Sequence, residues 1–378
     1  MAGDRPPAPT DEEDRTLMAV TLADVAARAG VSSATVSRVL NGNYPVAGST
    51  RERVERAVRE LDYVVNGQAR ALAAATSDLV GVLVNDIADP FFGLIAGALQ
   101  SEIGAGGGQP TGTKLAVVCN TGGSPEAELT YLTLLERQRA AGVVLTGGAV
   151  ENEEHTAAVA ARVSRLATSG TRIVLCGRPP LPLPDDVDGV MTVAFDNRGG
   201  ARRLTEHLLS LGHRRVGYVT GPLERSTTRH RLEGHRVALA AHGFGPGTPT
   251  GTHAERLTVH GGYDRSSGYD AAVEILRRDP TVTAIAGAND TVALGVCAAL
   301  RDHGLSVPGD VSVAGFDDLP FSVDASPALT TVRIPLQEAG IRAGRLVMGR
   351  LSPPPGGVAR VGAELMVRGS TAPPADAR

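Results

Sequence analysis

The sequence has no run of about 18 apolar residues, the length a membrane-spanning helix needs, so no transmembrane segment is expected. Its first residues, MAGDRPPAPTDEEDRT, lack a basic stretch followed by an apolar one, so they do not read as a secretory signal, and the expected location is the cytoplasm. Cysteine is scarce. Cys119 and Cys176 sit in apolar strand-like runs (LAVVCN, RIVLCG) and Cys297 in a helical run (TVALGVCAAL). No CxxC or Cys/His spacing suggests zinc, and the three read as small buried hydrophobes. Lysine is nearly absent, with Lys114 alone, while Ala, Gly, Pro and Arg are abundant. This is the coding bias of a GC-rich genome, so arginine richness by itself says little. A net charge of −4 does not announce a nucleic-acid partner. No nucleophile elbow, metal cluster or dinucleotide fingerprint stands in its proper context, so neither enzyme activity nor a cofactor is expected.

The 378 residues, 42% hydrophobic and 21% charged, form an ordinary globular composition long enough for two or three domains. Residues 1–20 are Pro-rich and acidic, with two Arg against five Asp/Glu, and read as a disordered tail. Residues 21–75 are mildly basic, with seven Arg against five Asp/Glu. Three short helices are expected there. Thr21 and Asp24 are spaced as a capping box before Leu22, Val25, Ala26 and Ala29, and Gly30 ends that helix. Ser32 caps a second helix with Val36, Val39 and Leu40 facing inward, stopped by Asn41-Gly42. Ser49 and Glu52 are spaced as a capping box for a third, carrying Val54, Ala57, Val58 and Leu61. A helix, a tight Gly turn and a second helix with Thr35, Ser37 and Arg38 on its polar side form a helix-turn-helix.

Past a helix-capable linker at 66–76, the texture becomes α/β. Apolar strand candidates at 79–84, 114–120, 142–147, 172–177, 215–220, 256–260, 284–289 and 311–316 alternate with amphipathic helices, as in parallel sheets with crossover connections. Residues 104–113 (GAGGGQPTGT) read as a flexible loop. Their glycines precede a strand and do not join a strand to a helix, so a phosphate-binding loop is rejected. Residues 371–378 read as a Pro/Ala tail, and no coiled-coil heptads follow.

The stretch TLADVAARAGVSSATVSRVLNG (21–42), then STRERVERAVRELDYVVN (49–66), then ARAL (69–72), resembles the headpiece and hinge of LacI/GalR-family transcriptional regulators. The resemblance implies a small all-α helix-turn-helix headpiece at 21–65, a hinge helix at 66–76 and an α/β periplasmic-binding-protein-like core at 77–370. By the same resemblance, Ser33, Ala34 and Arg38 match positions that read base edges. Arg suits guanine O6/N7 and Ala a thymine methyl. Thr35 and Ser37 suit phosphates. Asn66, Arg70 and Leu72 fall in the hinge, where the family's leucine wedges into the minor groove as a pair and kinks the duplex. Val65 departs from the family's usual Pro, which loosens the expected hinge geometry.

The implied core has two parallel-sheet subdomains around a cleft, with three crossings near 195, 333 and 355. Subdomain one is expected at 77–195 and 334–354, subdomain two at 196–333 and 357–370. Cleft candidates follow strands. Phe91 and Phe92, after Asp89-Pro90, offer aromatic faces to a sugar or base. Arg225, Thr227 and Arg231 lie near a helix N-terminus, Arg231 matching the family's ligand-contacting arginine and Tyr263 its aromatic platform. Asn289, Asp290 and Asp317 end strands, where an amide or carboxylate takes paired hydroxyls. The first reading of the effector is a sugar or sugar derivative. A nucleobase or nucleoside is the second, since the PLER–Thr–Arg run also resembles the purine-responsive branch.

The expected function is thus a repressor controlled by a small-molecule effector, with an activator of the same family as the alternative. A transport solute-binding protein would share the core but need an export signal and no helix-turn-helix. The expected partners are palindromic double-stranded operator DNA and a second copy of the chain, since one headpiece makes too few base contacts. Met18 stands just before the helix-turn-helix, so residues 1–17 are expected to be dispensable or absent in the cell.

Overall fold

The computed structural model describes residues 20–41, 45–63, 77–105 and 114–375. The hinge positions Asn66, Arg70 and Leu72, together with Val65, Met18, Gly42 and most of the Gly-rich loop, lie outside these described residues. The chain divides into two units, Met1–Ser77 and Asp78–Arg378.

The first unit has α1 (Leu22–Ala29), α2 (Ser33–Asn41) and α3 (Gly48–Glu60). The capping box at its start is reciprocal: Asp24 N–H donates to Thr21 Oγ1 at 3.4 Å, and Thr21 N–H donates to Asp24 Oδ2 at 2.8 Å. Gly30 ends α1 in the left-handed region at φ 65°. Ser32 Oγ accepts the Thr35 N–H at 3.2 Å, which caps α2. The third helix differs from expectation. It begins at Gly48 behind Ala47, without a side-chain cap, so Ser49 and Glu52 lie inside the helix and form no capping box. The unit's core is small: Val25, Ala26, Ala29, Val36, Val54 and Ala57. Each buried valine contributes roughly 1.5–3 kcal/mol, so one large-to-small change there is a sizeable fraction of a small domain's stability.

In the second unit β1 (Leu79–Val84), α4 (Pro90–Gly104), β2 (Leu115–Asn120), α5 (Pro125–Arg137), β3 (Gly142–Thr146), α6 (Glu153–Thr168), β4 (Arg172–Cys176) and β5 (Val190–Phe195) build most of one parallel sheet. Then α7 (Asn197–Ser210), β6 (Val216–Thr220), α8 (Ser226–Ala241), α9 (Pro249–Arg256), β7 (Thr258–His260), α10 (Arg265–Arg278), β8 (Ala284–Gly287), α11 (Asp290–Asp302), β9 (Ser312–Ala314) and α12 (Phe321–Asp324) follow. Their strands form a second sheet, in the order β7-β6-β8-β9, parallel throughout. The chain ends with β10 (Thr331–Arg333), α13 (Leu336–Val347), β11 (Val358–Val361) and β12 (Glu364–Met366).

Both sheets are covered on two faces, which is why their strands read as continuous apolar runs. In β1, Val80, Val82 and Val84 pack with Ile95, Leu99 and Ile103 of α4, while Leu83 joins Leu132, Leu135 and Val163 on the opposite face, as a period of two requires. Gly81 lets α5 come close, since a Cβ there would stand 2.3 Å from Leu135 Cδ1.

The first sheet has the order β11-β5-β4-β3-β1-β2. Because β11 pairs with β5 through Val358–Val361, the third crossing falls after Val361 and not near 355, and residues 357–370 are shared between the two subdomains. β10 and β12 pair antiparallel at that junction. Residues 371–375 are not simply a tail either. His213 Nε2 lies 2.9 Å from the Ala372 carbonyl, and Ala372 N–H donates to Ser312 Oγ at 3.0 Å, so the chain's last described residues dock on the second sheet. Cys119 and Cys176 are buried and Cys297 is half-buried, all as free thiols.

Candidate DNA-reading helix and ligand cleft

On α2, Val36 is buried and Val39 and Leu40 are half-buried against α1 and α3. That orientation leaves Ser33, Ala34 and Arg38 exposed and Thr35 and Ser37 half-buried. Ala34 and Arg38 are four residues apart and so share one face. The Thr35 hydroxyl lies 2.9 Å from that of Ser32. Along α3, Arg51, Arg53, Arg56 and Arg59 are exposed, which adds positive charge to this unit. Arg28 of α1 pairs with Glu60 at the end of α3.

In the second unit, the carboxyl ends of both sheets converge on a cleft of about 600 Å³. A smaller cavity of about 440 Å³ lies by Glu128, His155, Arg178 and Pro179. Inside it Arg178 grips Glu128 at 2.6 Å, and although burial works to raise the Glu128 carboxyl, this guanidinium and His155 hold it down at about 2.

Of the expected ligand residues, Phe91, Phe92, Arg225, Thr227, Arg231, Tyr263, Asn289 and Asp317 all line the cleft. Phe91 and Phe92 start α4, whose N-terminus is capped by Asp89 Oδ1 accepting the Phe91 N–H at 2.9 Å. Their rings meet edge to face with centroids 5.0 Å apart. Gly147 follows β3 at φ 74°, and a Cβ there would stand 2.7 Å from Phe92 Cε1. Arg231 and Asp317 form the centre. Both are 3% exposed. Arg231 donates from Nη2 to Asp317 Oδ1 at 2.6 Å, from Nη1 to the Ala288 carbonyl at 2.6 Å and from Nε to Asn197 Oδ1 at 2.9 Å. Its guanidinium carbon lies 3.7 Å over the Phe316 ring. Burial pushes the Asp317 carboxyl up, and Arg231 opposes that shift. Asp317 and Asp318 hold consecutive left-handed backbone conformations, φ 100° and 54°, a strained turn for non-glycine residues. Tyr263 Oη lies 2.6 Å from Thr228 Oγ1, and Asn289 caps α11 while donating from Nδ2 to the Tyr263 carbonyl at 3.3 Å.

Asp290 does not belong with them. It is fully buried, accepting from Thr331 Oγ1 at 2.5 Å and from Leu319 N–H at 2.7 Å, which anchors the turn carrying Asp317. Burial first, and then the nearby Asp317 carboxylate, push its carboxyl well above the usual range. It is a positioning residue beneath the cleft.

Arg225 reaches across the cleft and donates to the carbonyls of Gly123 and Gly148. Around it the segment after β3 clasps the segment after β6. Glu151 N–H donates to the Glu224 carbonyl at 2.6 Å, Ser226 N–H to the Ala149 carbonyl at 2.9 Å, and Arg229 grips Glu151 with Nε and Nη2 at 2.8 Å. Sequence reasoning missed Asn85, Asp86, Asn120, Gly148, Pro222 and Asp264, which also line the cleft. Asn85 and Asn120 stand at the ends of β1 and β2, so treating every strand end alike would have found them.

The family profile described as "Bacterial regulatory proteins, lacI family" matches residues 21–66, and "Periplasmic binding protein-like domain" matches residues 205–371. The transcriptional regulator GalR of Escherichia coli is 34% identical over 328 residues, covering 87% of this chain and 88% of GalR. The chain belongs to the LacI family. It is a DNA-binding transcriptional regulator with a helix-turn-helix and an effector-binding core. CelR of Thermobifida fusca is 34% identical over 340 residues, 88% of this chain and 92% of CelR. Among solved structures, a CelR–cellobiose complex aligns with a TM-score of 0.63 at 32% identity, over 93% of this chain and 99% of that one. A lac repressor dimer bound to operator and the anti-inducer ONPF aligns with a TM-score of 0.74 at 29% identity, over 94% and 100%. No described helix of this LacI-family chain is long and apolar enough to cross a membrane.

Proposed function

We propose that this LacI-family regulator is a cytoplasmic repressor, acting as a homodimer on a palindromic operator, whose DNA affinity is set by a sugar or sugar derivative held in the cleft. The observation that carries this reading is the Arg231–Asp317 pair, buried at the point where both sheets end and flanked by the aromatic rings of Phe91, Phe92 and Tyr263. Groups from both subdomains face one cavity, so a ligand there favours one closure state and biases whatever the subdomains are coupled to. The CelR–cellobiose complex and the operator-bound lac repressor dimer support the sugar and the dimer by analogy. In the headpiece, Ser33, Ala34 and Arg38 read bases and Thr35 and Ser37 hold phosphates. Asn66, Arg70 and Leu72 form the hinge contact, with Leu72 as the wedge.

The test is selection of genomic fragments by the full-length protein, followed by a gel shift on the selected site with added saccharides. An inverted-repeat site released by a saccharide is the expected result. A non-palindromic consensus, or release by a purine and by no saccharide, overturns the corresponding part.

A further inference from the structure

Resting on the cleft as the effector site, the distribution of charge narrows the class of ligand. Four carboxylates line the cleft (Asp86, Asp89, Asp264 and Asp317) against two guanidiniums, Arg225 and Arg231. Neither guanidinium is held ready for an anion. All three nitrogens of Arg231 donate to Asn197, Ala288 and Asp317. Arg225 donates to two backbone carbonyls across the clasp. A phosphate could instead seek a helix N-terminus. Three of those facing the cleft are already capped by the chain itself: Asp89 caps α4, Asp264 caps α10 and Asn289 caps α11. At α8, which no side chain caps, the Ser226 N–H is taken by the Ala149 carbonyl.

What the cleft does offer is lone pairs. One oxygen of Asp317 accepts from Arg231, one of Asp89 from the Phe91 N–H and one of Asp86 from the Ala88 N–H. Among the described residues, none donates to the second oxygen of any of the three. Burial first, and Asp317 across the cleft as well, push the Asp89 carboxyl up, so the site already resists further negative charge. Asp317 is paired with Arg231, and Asp264 is held by hydrogen bonds from Ser266 and Ser267.

We infer that the effector is an uncharged polyhydroxyl compound, a saccharide without phosphate or carboxylate, and that the cleft discriminates against its phosphate ester. Hydroxyls donate to the vacant carboxylate oxygens, and the Phe91, Phe92 and Tyr263 rings take the apolar face of the sugar ring.

The test uses the full-length protein in thermal-shift and calorimetric titrations. Probes are glucose, galactose, cellobiose and maltose against glucose 6-phosphate, galacturonate, glucosamine and hypoxanthine. The expected tightest binder is neutral, with its phosphate ester or uronate at least tenfold weaker. Asp86→Asn combined with Asp89→Asn keeps the α4 cap and narrows that gap. A charged sugar that binds as tightly as its neutral parent overturns the inference and leaves the sugar reading standing, as does a gap unchanged in the double variant. Hypoxanthine binding with no saccharide binding brings down the sugar reading and this inference together. Absence of any shift by the neutral sugars counts against the inference in the same way.

Discussion

The buried pair at the centre of the cleft makes a sharp energetic prediction. Arg231→Met leaves the Asp317 carboxylate 3% exposed without its cation, and Asp317→Leu leaves a buried guanidinium whose remaining partners are Asn197, the Ala288 carbonyl and the Phe316 ring. Breaking a buried pair by removing one partner costs about 3–5 kcal/mol, because an uncompensated charge remains. Removing both charges relieves both desolvation penalties, so the double variant should lose no more than either single one, a coupling of about 3 kcal/mol. A core of this size converts each kcal/mol into roughly 2–4 °C, so each single variant should melt about 6–20 °C lower. The assay is thermal denaturation of the full-length chain at one protein concentration, followed by circular dichroism.

The same pair makes stability depend on pH. Because Asp317 is held above the usual carboxylate range, the folded state binds its proton more tightly than the unfolded chain does. The group's contribution therefore declines as pH rises through that range. In Arg231→Met nothing opposes the proton, so the stability deficit should shrink from pH 7 toward about pH 4. Single-variant losses that simply add in the double variant, or a deficit independent of pH, would refute the argument. All three variants should lose the response to effector.

Three further outcomes are expected. Arg38→Ala should weaken operator binding by about 1–3 kcal/mol per half-site and relax preference at one base pair, measured by filter binding at fixed salt. An unchanged preference would make Arg38 a phosphate contact. His235, buried and stacked on Tyr218 at 4.3 Å, is held down at about 3 by burial, so it stays neutral when folded. Its contribution is fully present above the unfolded value near 6.5 and is lost as pH falls toward 3. The loss reaches as much as about 5 kcal/mol, and His235→Gln should flatten the acid limb of a urea-denaturation series. Gly148→Ala would place a Cβ 2.4 Å from Thr227 Oγ1, so it should weaken effector affinity while operator affinity without effector is kept, read by calorimetry beside a gel shift.

The parts of the molecule that were legible in the sequence are those set by local chemistry. Thr21, Asp24 and Gly30 fix the ends of α1 by hydrogen bonding and backbone conformation alone. The apolar runs of β1, β3 and β6 reveal sheets covered on both faces. β10, β11 and β12 were illegible because no continuous apolar run marks them, and β11 gains its place only by pairing with β5, more than 160 residues earlier. Asp290 misled for a related reason. It ends the run AGAND as Asp317 nearly ends AGFDD, and only the tertiary approach of Thr331 and Leu319 turns it inward. The Ser49 box failed because Gly48 already starts α3.

The clasp between the segments after β3 and β6 bears on timing. Two of its bonds run between backbone groups, Glu151 to Glu224 and Ser226 to Ala149, and no substitution short of proline deletes them. Whatever enters or leaves that side of the cleft must wait for them to break together. The residence time of a bound ligand, and so the delay with which a regulator forgets a vanished nutrient, is then set by an opening step that ligand chemistry does not touch. The exposed Arg229–Glu151 pair, by contrast, is open to substitution. A surface charge outside the cleft lining thereby becomes a means by which mutation tunes the memory of the switch without altering what it senses.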